Sequence, residues 1–127
     1  MTRRKSIHID GFVHKNPIPN ASLVGNILAS GAIHGRDSRA DGVPATIEEQ
    51  CALVFRHIRD IVEAAGGTTD DILRINFYLQ DPSDRAALNA EWLRMFPDEH
   101  SRPARHTQKL GDDSPVMIQC DFMAVIG

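Results

Sequence analysis

The sequence predicts an α+β domain in which a sheet of four to six strands carries two helices on one face. Apolar residues recur in steps of three and four between Ile47 and Ala65, and again along one side of the segment Pro82 to Phe96. They alternate with polar residues between Ile72 and Leu79 and between Val116 and Ile126. The first spacing is that of a helix lying on a core, the second that of a strand with one buried face. In chain order the elements read strands, helix, strand, helix, strands.

Ile7-Ile9 is a short strand, and Asn26 to Ile33 is a continuous small and apolar run that reads as another. Gly35 to Pro44, rich in Gly, Asp, Ser and Arg, is a surface loop. Thr46 followed by Glu49 forms a capping box at the start of the first helix. Ile47, Cys51, Val54, Phe55, Ile58, Ile61, Val62 and Ala65 draw its apolar stripe. Arg56, Arg59, Asp60 and Glu63 lie opposite, His57 sits on the polar border, and Gly66-Gly67 supplies the stop. Ile72 to Leu79 should turn Leu73, Ile75, Phe77 and Leu79 to one face and Arg74, Asn76 and Tyr78 to the other. Asp81 is an N-cap with Pro82 at the first helical position. Leu88, Trp92, Met95 and Phe96 mark the apolar side of this second helix, and Pro97 ends it. Ala104 to Leu110 is strand-like. In the last strand Ile118, Cys120, Phe122, Ala124 and Ile126 share one face, and Gln119, Asp121, Met123 and Val125 the other.

The 127 residues make one domain, 1–127, able to bury roughly two thirds of its unfolded surface without help from a metal or a disulfide. With 14 basic and 17 acidic residues the chain lacks the positive surplus of a general nucleic-acid binder. No apolar run approaches the ~20 residues that cross a bilayer, and the segment after the basic start is too short and polar for a signal peptide. Cys51 and Cys120 belong to no CxxC pair and read as buried reduced thiols, which places the protein in the cytoplasm. Two helices cover one face of such a sheet. The other face, with Tyr78, Met123 and Val125 among polar groups, calls for a second copy of the chain, so a homo-oligomer is expected.

Six histidines are present, but none forms HxH or HExxH, and no metal site is expected. There is no GxSxG, P-loop or GxGxxG, and no serine or cysteine nucleophile with a placed base. The run Arg102-Pro103-Ala104-Arg105-His106-Thr107 is distinctive. Arg105 starts an apolar strand, where it either points into water from the strand end or turns into a pocket. In the second case its planar fork would clamp a small carboxylate.

Several fragments share an order and spacing: Gly25-Asn26 followed by Ser30-Gly31, Glu49-Gln50 with Ile58 and Ile61 through Gly66, Asp71 to Leu79, Asn89 with Trp92 and Phe96, and Pro103-Ala104-Arg105. In these the chain resembles, over nearly its whole length, the reactive intermediate deaminase family (Rid, or YjgF, also described as L-PSP endoribonuclease). The resemblance implies a chorismate-mutase-like α+β fold with a mixed sheet of about six strands. It implies a homotrimer whose sheets close a central barrel, with active sites in the clefts between subunits. It further implies hydrolysis of enamine and imine intermediates, such as 2-aminoacrylate and its imine, to keto acids and ammonia. Ile18 and the polar loop from Gly35 to Pro44 suggest a pocket for something larger than the smallest imines, such as a related amino-dienoate. No cofactor, metal, nucleic acid or membrane is expected.

Carried over by position, Arg105 would grip the substrate carboxylate, Asn89 would lie near the cleft, Ser30 and Gly31 would border it, and Thr107 would line the pocket. Two positions depart from the family pattern. Ile18 stands where members have a tyrosine, and Gln119 where they have a glutamate that handles water or a proton. Glutamine can hold a water but cannot exchange a proton at neutral pH, and Asp121, two residues on, is the nearest substitute. The alternatives are a non-catalytic binder of small carboxylates using the same cleft and, least favoured, a ribonuclease.

Overall fold

The structure is a computed structural model that describes residues 3–40 and 42–127. In chain order its elements are β1 (Arg4–Ile7), β2 (Ala21–Val24), β3 (Ile27–Ser30), β4 (Ile33–His34), α1 (Ile47–Ala64), β5 (Ile72–Leu79), α2 (Arg85–Met95), β6 (Ala104–Lys109) and β7 (Ile118–Val125). The strands form one mixed sheet of seven in the order β1-β2-β3-β7-β5-β6, with β4 also paired to β7. Every pairing is antiparallel except β5 with β6, which are parallel and joined by α2 as the crossover. Both helices lie on one face, where α1 packs on α2, β4 and β7.

The seventh strand comes from the apolar run Asn26 to Ile33, which folds as three pieces and not as one strand. Gly25 and Asn26 are the turn of a hairpin in which Val24 pairs with Ile27. Gly25 has φ +59, a conformation open to glycine and costly for other residues. Beyond the turn, β3 ends at Ser30, and after a gap of two residues pairing with β7 resumes as β4. Ser30 fills the break: its hydroxyl accepts the Phe122 N–H at 2.8 Å and donates to the Gly31 carbonyl at 2.9 Å. The first strand is Arg4–Ile7 and not Ile7-Ile9, because the Asn20 side chain takes the Ile9 N–H (2.8 Å) and draws the chain out of the sheet.

The core follows the two periodicities. Ile118, Cys120, Phe122 and Ala124 of β7 are buried against Cys51, Val54, Phe55, Ile58, Ile61 and Val62 of α1. In β5 the alternation holds for Ile75, Phe77 and Leu79, but Leu73 is 59% exposed. A register shift between Ile72 and Arg74 is the cause: Ile72 pairs with Ala124 and Arg74 with Met123, so Leu73 is the extra residue of a bulge. His57 also departs from expectation. It is wholly buried under the 34–38 loop, and its Nε2 donates to the Arg36 carbonyl at 2.7 Å.

Thr46 caps α1 by accepting the Glu49 N–H, and its hydroxyl donates to the Glu49 carboxylate at 2.9 Å. The pair therefore closes side chain to side chain, without the reciprocal bond to the cap's own N–H that a full capping box makes. Asp81 caps a single 3-10 turn, Pro82–Asp84, which leads into α2. Gln50, buried on α1, ties two loops together. Its Nε2 donates to the Pro44 carbonyl and its Oε1 accepts the Met117 N–H. No helix among the described residues is long and apolar enough to cross a membrane.

Candidate functional site

β6 lies at one edge of the sheet, beside β5. The parallel register sets Arg105 against Ile75 and Thr107 against Phe77. Ile75 and Phe77 face the helices, so Arg105 and Thr107 face them too, at the rim of the core where the sheet ends. The Arg105 guanidinium carbon is 5.2 Å from the Trp92 ring centroid and 5.9 Å from that of Phe77. Contacts of this kind contribute on the order of 0.5–2 kcal/mol as water is removed. The Arg105 Nε donates to Thr107 Oγ1 at 3.2 Å. The group is thus held at its Nε edge and against two aromatic rings.

No carboxylate among the described residues lies within 4.0 Å of Arg105. Its pKa is lowered from the ordinary arginine value, first by burial and then by the positive charge of Arg85. An arginine remains charged regardless. The result is a half-buried cation with no counter-ion of its own, which is the electrostatic condition for binding an anion.

Asn89 is exposed on α2, one residue after the buried Leu88 and three before Trp92. Trp92, one turn on, is the residue of α2 that touches Arg105, and Thr107 bonds to Arg105 directly.

Ile18, Ser30 and Gly31 lie at the β2–β3 end of the sheet. Ile18 is 50% exposed in the loop between β1 and β2, beside a hollow of about 420 Å³ that includes His8, His14 and Asn16. The Gly31 N–H donates to the carbonyl of Asn20, two residues beyond Ile18 (3.0 Å). Gln119 pairs with Tyr78 on one side and His34 on the other. Tyr78 alternates with Phe77, so Gln119 lies on the uncovered face of the sheet, opposite to Arg105. Asp121 shares that face, and its carboxylate accepts a bond from the Asn76 side chain at 3.0 Å.

Within one chain, then, the candidate residues are split. β6 and β3 are three strand steps apart, roughly 14 Å at the usual strand spacing, and Gln119 is on the wrong face to meet a ligand at Arg105.

Trp92 and Phe77, the aromatic seat of Arg105, were legible in the sequence only as core residues. The two thiols are chemically quiet. Burial pushes Cys51 up to about 12 and Cys120 well above its ordinary value, so neither supplies a thiolate nucleophile.

A second polar cluster gathers around Phe12, whose buried ring touches those of His14, His34 and His57 at centroid distances of 5.0, 4.9 and 5.1 Å. Arg36 lies over the same ring at 5.0 Å. The three histidines surround the phenyl group and do not converge on a point. Among the described residues no group of three or more His, Cys, Asp or Glu side chains is placed to hold a metal ion.

The fold and this site define a class, a two-layer α+β domain of the chorismate-mutase-like type with a seated arginine at one sheet edge. The profile of the family described as "Endoribonuclease L-PSP" matches residues 16–117. The chain is 35% identical over 92 residues to a RutC family protein of Haemophilus influenzae, a match covering 70% of each. It is 33% identical over 87 residues to "Protein mmf2, mitochondrial" of Schizosaccharomyces pombe, covering 68% of this chain and 66% of that relative. Among solved structures, RidA from an Antarctic Psychrobacter superposes with a TM-score of 0.86 at 26% identity, covering 96% of this chain and 99% of the other. The chain belongs to this family, the Rid/YjgF or L-PSP group.

Proposed function

We propose that this protein hydrolyses a reactive imine or enamine that carries a carboxylate, releasing a keto acid and ammonia. The observation that carries the reading is the seated, unpaired guanidinium of Arg105. Its terminal nitrogens suit the two oxygens of one carboxylate, and a carboxylate gripped there fixes the adjacent C=N carbon. An enamine first takes a proton on carbon and gives one up from nitrogen to become the imine. A water oxygen then adds to the imine carbon, and the C=N π electrons move to nitrogen, which takes a proton. The carbinolamine expels that nitrogen as ammonia, and its hydroxyl becomes the keto oxygen. Protonated imines are electrophilic already, so orientation and exclusion of bulk water are most of what a protein must add.

The split of the candidate residues supports a site assembled between copies, with Arg105, Thr107 and Asn89 from one chain and Gln119, Ile18, Ser30 and Gly31 from the next. A homotrimer that covers the open sheet face is the assembly we propose. Gln119 there would hold the attacking water. The free, buried cysteines suit a reducing compartment such as the cytoplasm, although one relative is named as mitochondrial.

The test is to generate 2-aminoacrylate with a dehydratase and follow imine loss. We expect acceleration by wild type, none by Arg105→Ala, and partial retention by Arg105→Lys, which keeps the charge but not the two-point contact. Equal rates with Arg105→Ala, or no acceleration by wild type, would overturn the assignment.

A second reading, a non-catalytic carboxylate binder, is favoured by the amide at position 119 and by the full engagement of the Ser30 hydroxyl in backbone bonds. It predicts keto-acid binding without turnover. A ribonuclease, despite the family's description, is disfavoured by the net charge of −3 and by the absence of a convergent histidine pair or acidic cluster in the sequence.

A further inference from the structure

We propose that the substrate carries two carboxylates, the first held by Arg105 and the second by Arg85 at the start of α2. The inference rests on the reading of Arg105 given above and narrows it. Arg85, Asn89 and Trp92 follow at steps of four and three, so they form one stripe of α2. The Trp92 end of that stripe is in contact with the Arg105 guanidinium, at 5.2 Å.

Arg85 is two turns away along the axis, about 10 Å. As the crossover between two parallel strands, α2 runs back against them. Its first residue therefore lies toward the end at which β5 and β6 finish. Arg105 leans that way too, since its Nε reaches forward to Thr107. The two cations thus lie toward the same end of β6, one on the strand and one on the helix, with Asn89 between Arg85 and Trp92 along the stripe.

The charges support the same geometry. Arg85 is exposed, and no carboxylate among the described residues is within 4.0 Å of it. Its sequence neighbour Asp84 does not neutralise it: the Asp84 carboxyl is held above its ordinary range by burial and by the negative charges of Asp81 and Glu48, with no cation lowering it. The field of Arg85 reaches Arg105, whose proton affinity it reduces. Two like charges held without counter-ions repel each other. A monocarboxylate relieves one of them; a dicarboxylate spanning the two relieves both.

The experiment is titration calorimetry of the full-length protein with two stable keto acids, 2-oxobutyrate and 2-oxoadipate, at one ionic strength. Wild type should bind the six-carbon diacid about tenfold more tightly, the equivalent of one added charged contact. Arg85→Gln should bring the two affinities to within about threefold of each other. Equal binding of the two acids by wild type, or a preference that survives Arg85→Gln, would overturn the proposal. So would dissociation of the assembly in Arg85→Gln, read by light scattering, which would assign Arg85 to a subunit contact. If wild type bound 2-oxobutyrate and lost it in Arg105→Ala, the Arg105 reading would stand whatever the outcome for Arg85. If neither acid bound, both would fall.

Discussion

A guanidinium can meet a carboxylate through its two terminal nitrogens or through one terminal nitrogen and the Nε edge. At Arg105 the second approach is closed, because Thr107 occupies Nε at 3.2 Å. Thr107→Val keeps the shape and removes the acceptor. The freed fork should rotate on its aromatic seat, and keto-acid affinity should fall about three- to tenfold, the worth of one hydrogen bond; calorimetry with 2-oxobutyrate reads it. An unchanged affinity would mean that Trp92 and Phe77 orient the fork alone. The Pro103-Ala104-Arg105 run made Arg105 legible, and the two-residue spacing placed Thr107 beside it. Trp92 was read as helix core because it is core, 8% exposed. Nothing in the order of residues says that its ring also seats a cation. Arg85 gave no signal at all, since an arginine at the start of an amphipathic helix resembles any solvated one.

At the scale of elements, what the chain showed was what a single element decides by itself. α1 and the two faces of β7 were legible because each depends on one period along one segment. The break in the run Asn26 to Ile33, the bulge that ejects Leu73 and the displacement of β1 were not, because each depends on register against a neighbour. The same distinction orders two mutations near α1. Thr46→Ala removes a cap that acts within the helix and should cost about 1 kcal/mol. Gly35→Ala acts between elements: a Cβ there would sit 2.7 Å from the Gln50 Cα and carbonyl oxygen, both backbone atoms. Either β4 or the start of α1 must move, and Gln50 would lose its hold on Pro44 or Met117. Overpacking of this sort costs about 1–3 kcal/mol. Urea melts should therefore rank Gly35→Ala as the more destabilising; the reverse order would mean that β4 is free to shift.

At the scale of the whole molecule, the cluster around Phe12 joins the β1–β2 loop, β4, the 34–38 loop and α1, and it makes stability depend on pH. Burial is the leading cause that lowers the pKa of each of its histidines. Arg36 adds to the lowering at His14 and His34, and Arg56 at His57. Asp60, Asp37 and the bond to the Arg36 carbonyl oppose it at His57 without reversing it. His34 falls furthest, from 6.5 to about 4. In the unfolded chain these rings take up protons near pH 6.5, while in the folded protein they resist. Above that pH both states are neutral and the cluster adds no slope. As pH falls from 6.5 toward 4 the unfolded state binds more protons, so stability drops. A shift of that size at a wholly buried ring would cost about 3 kcal/mol. His34 keeps part of its surface in water, which reduces its share to on the order of 1–2. Urea melts at one fixed protein concentration should give flat midpoints from pH 8 to 7 and a decline below about 6.5. His34→Gln, neutral throughout, should decline less steeply. Parallel curves for the two proteins would show that His34 is as free to charge in the fold as in the unfolded chain, and that the packing around Phe12 does not set the acid limit.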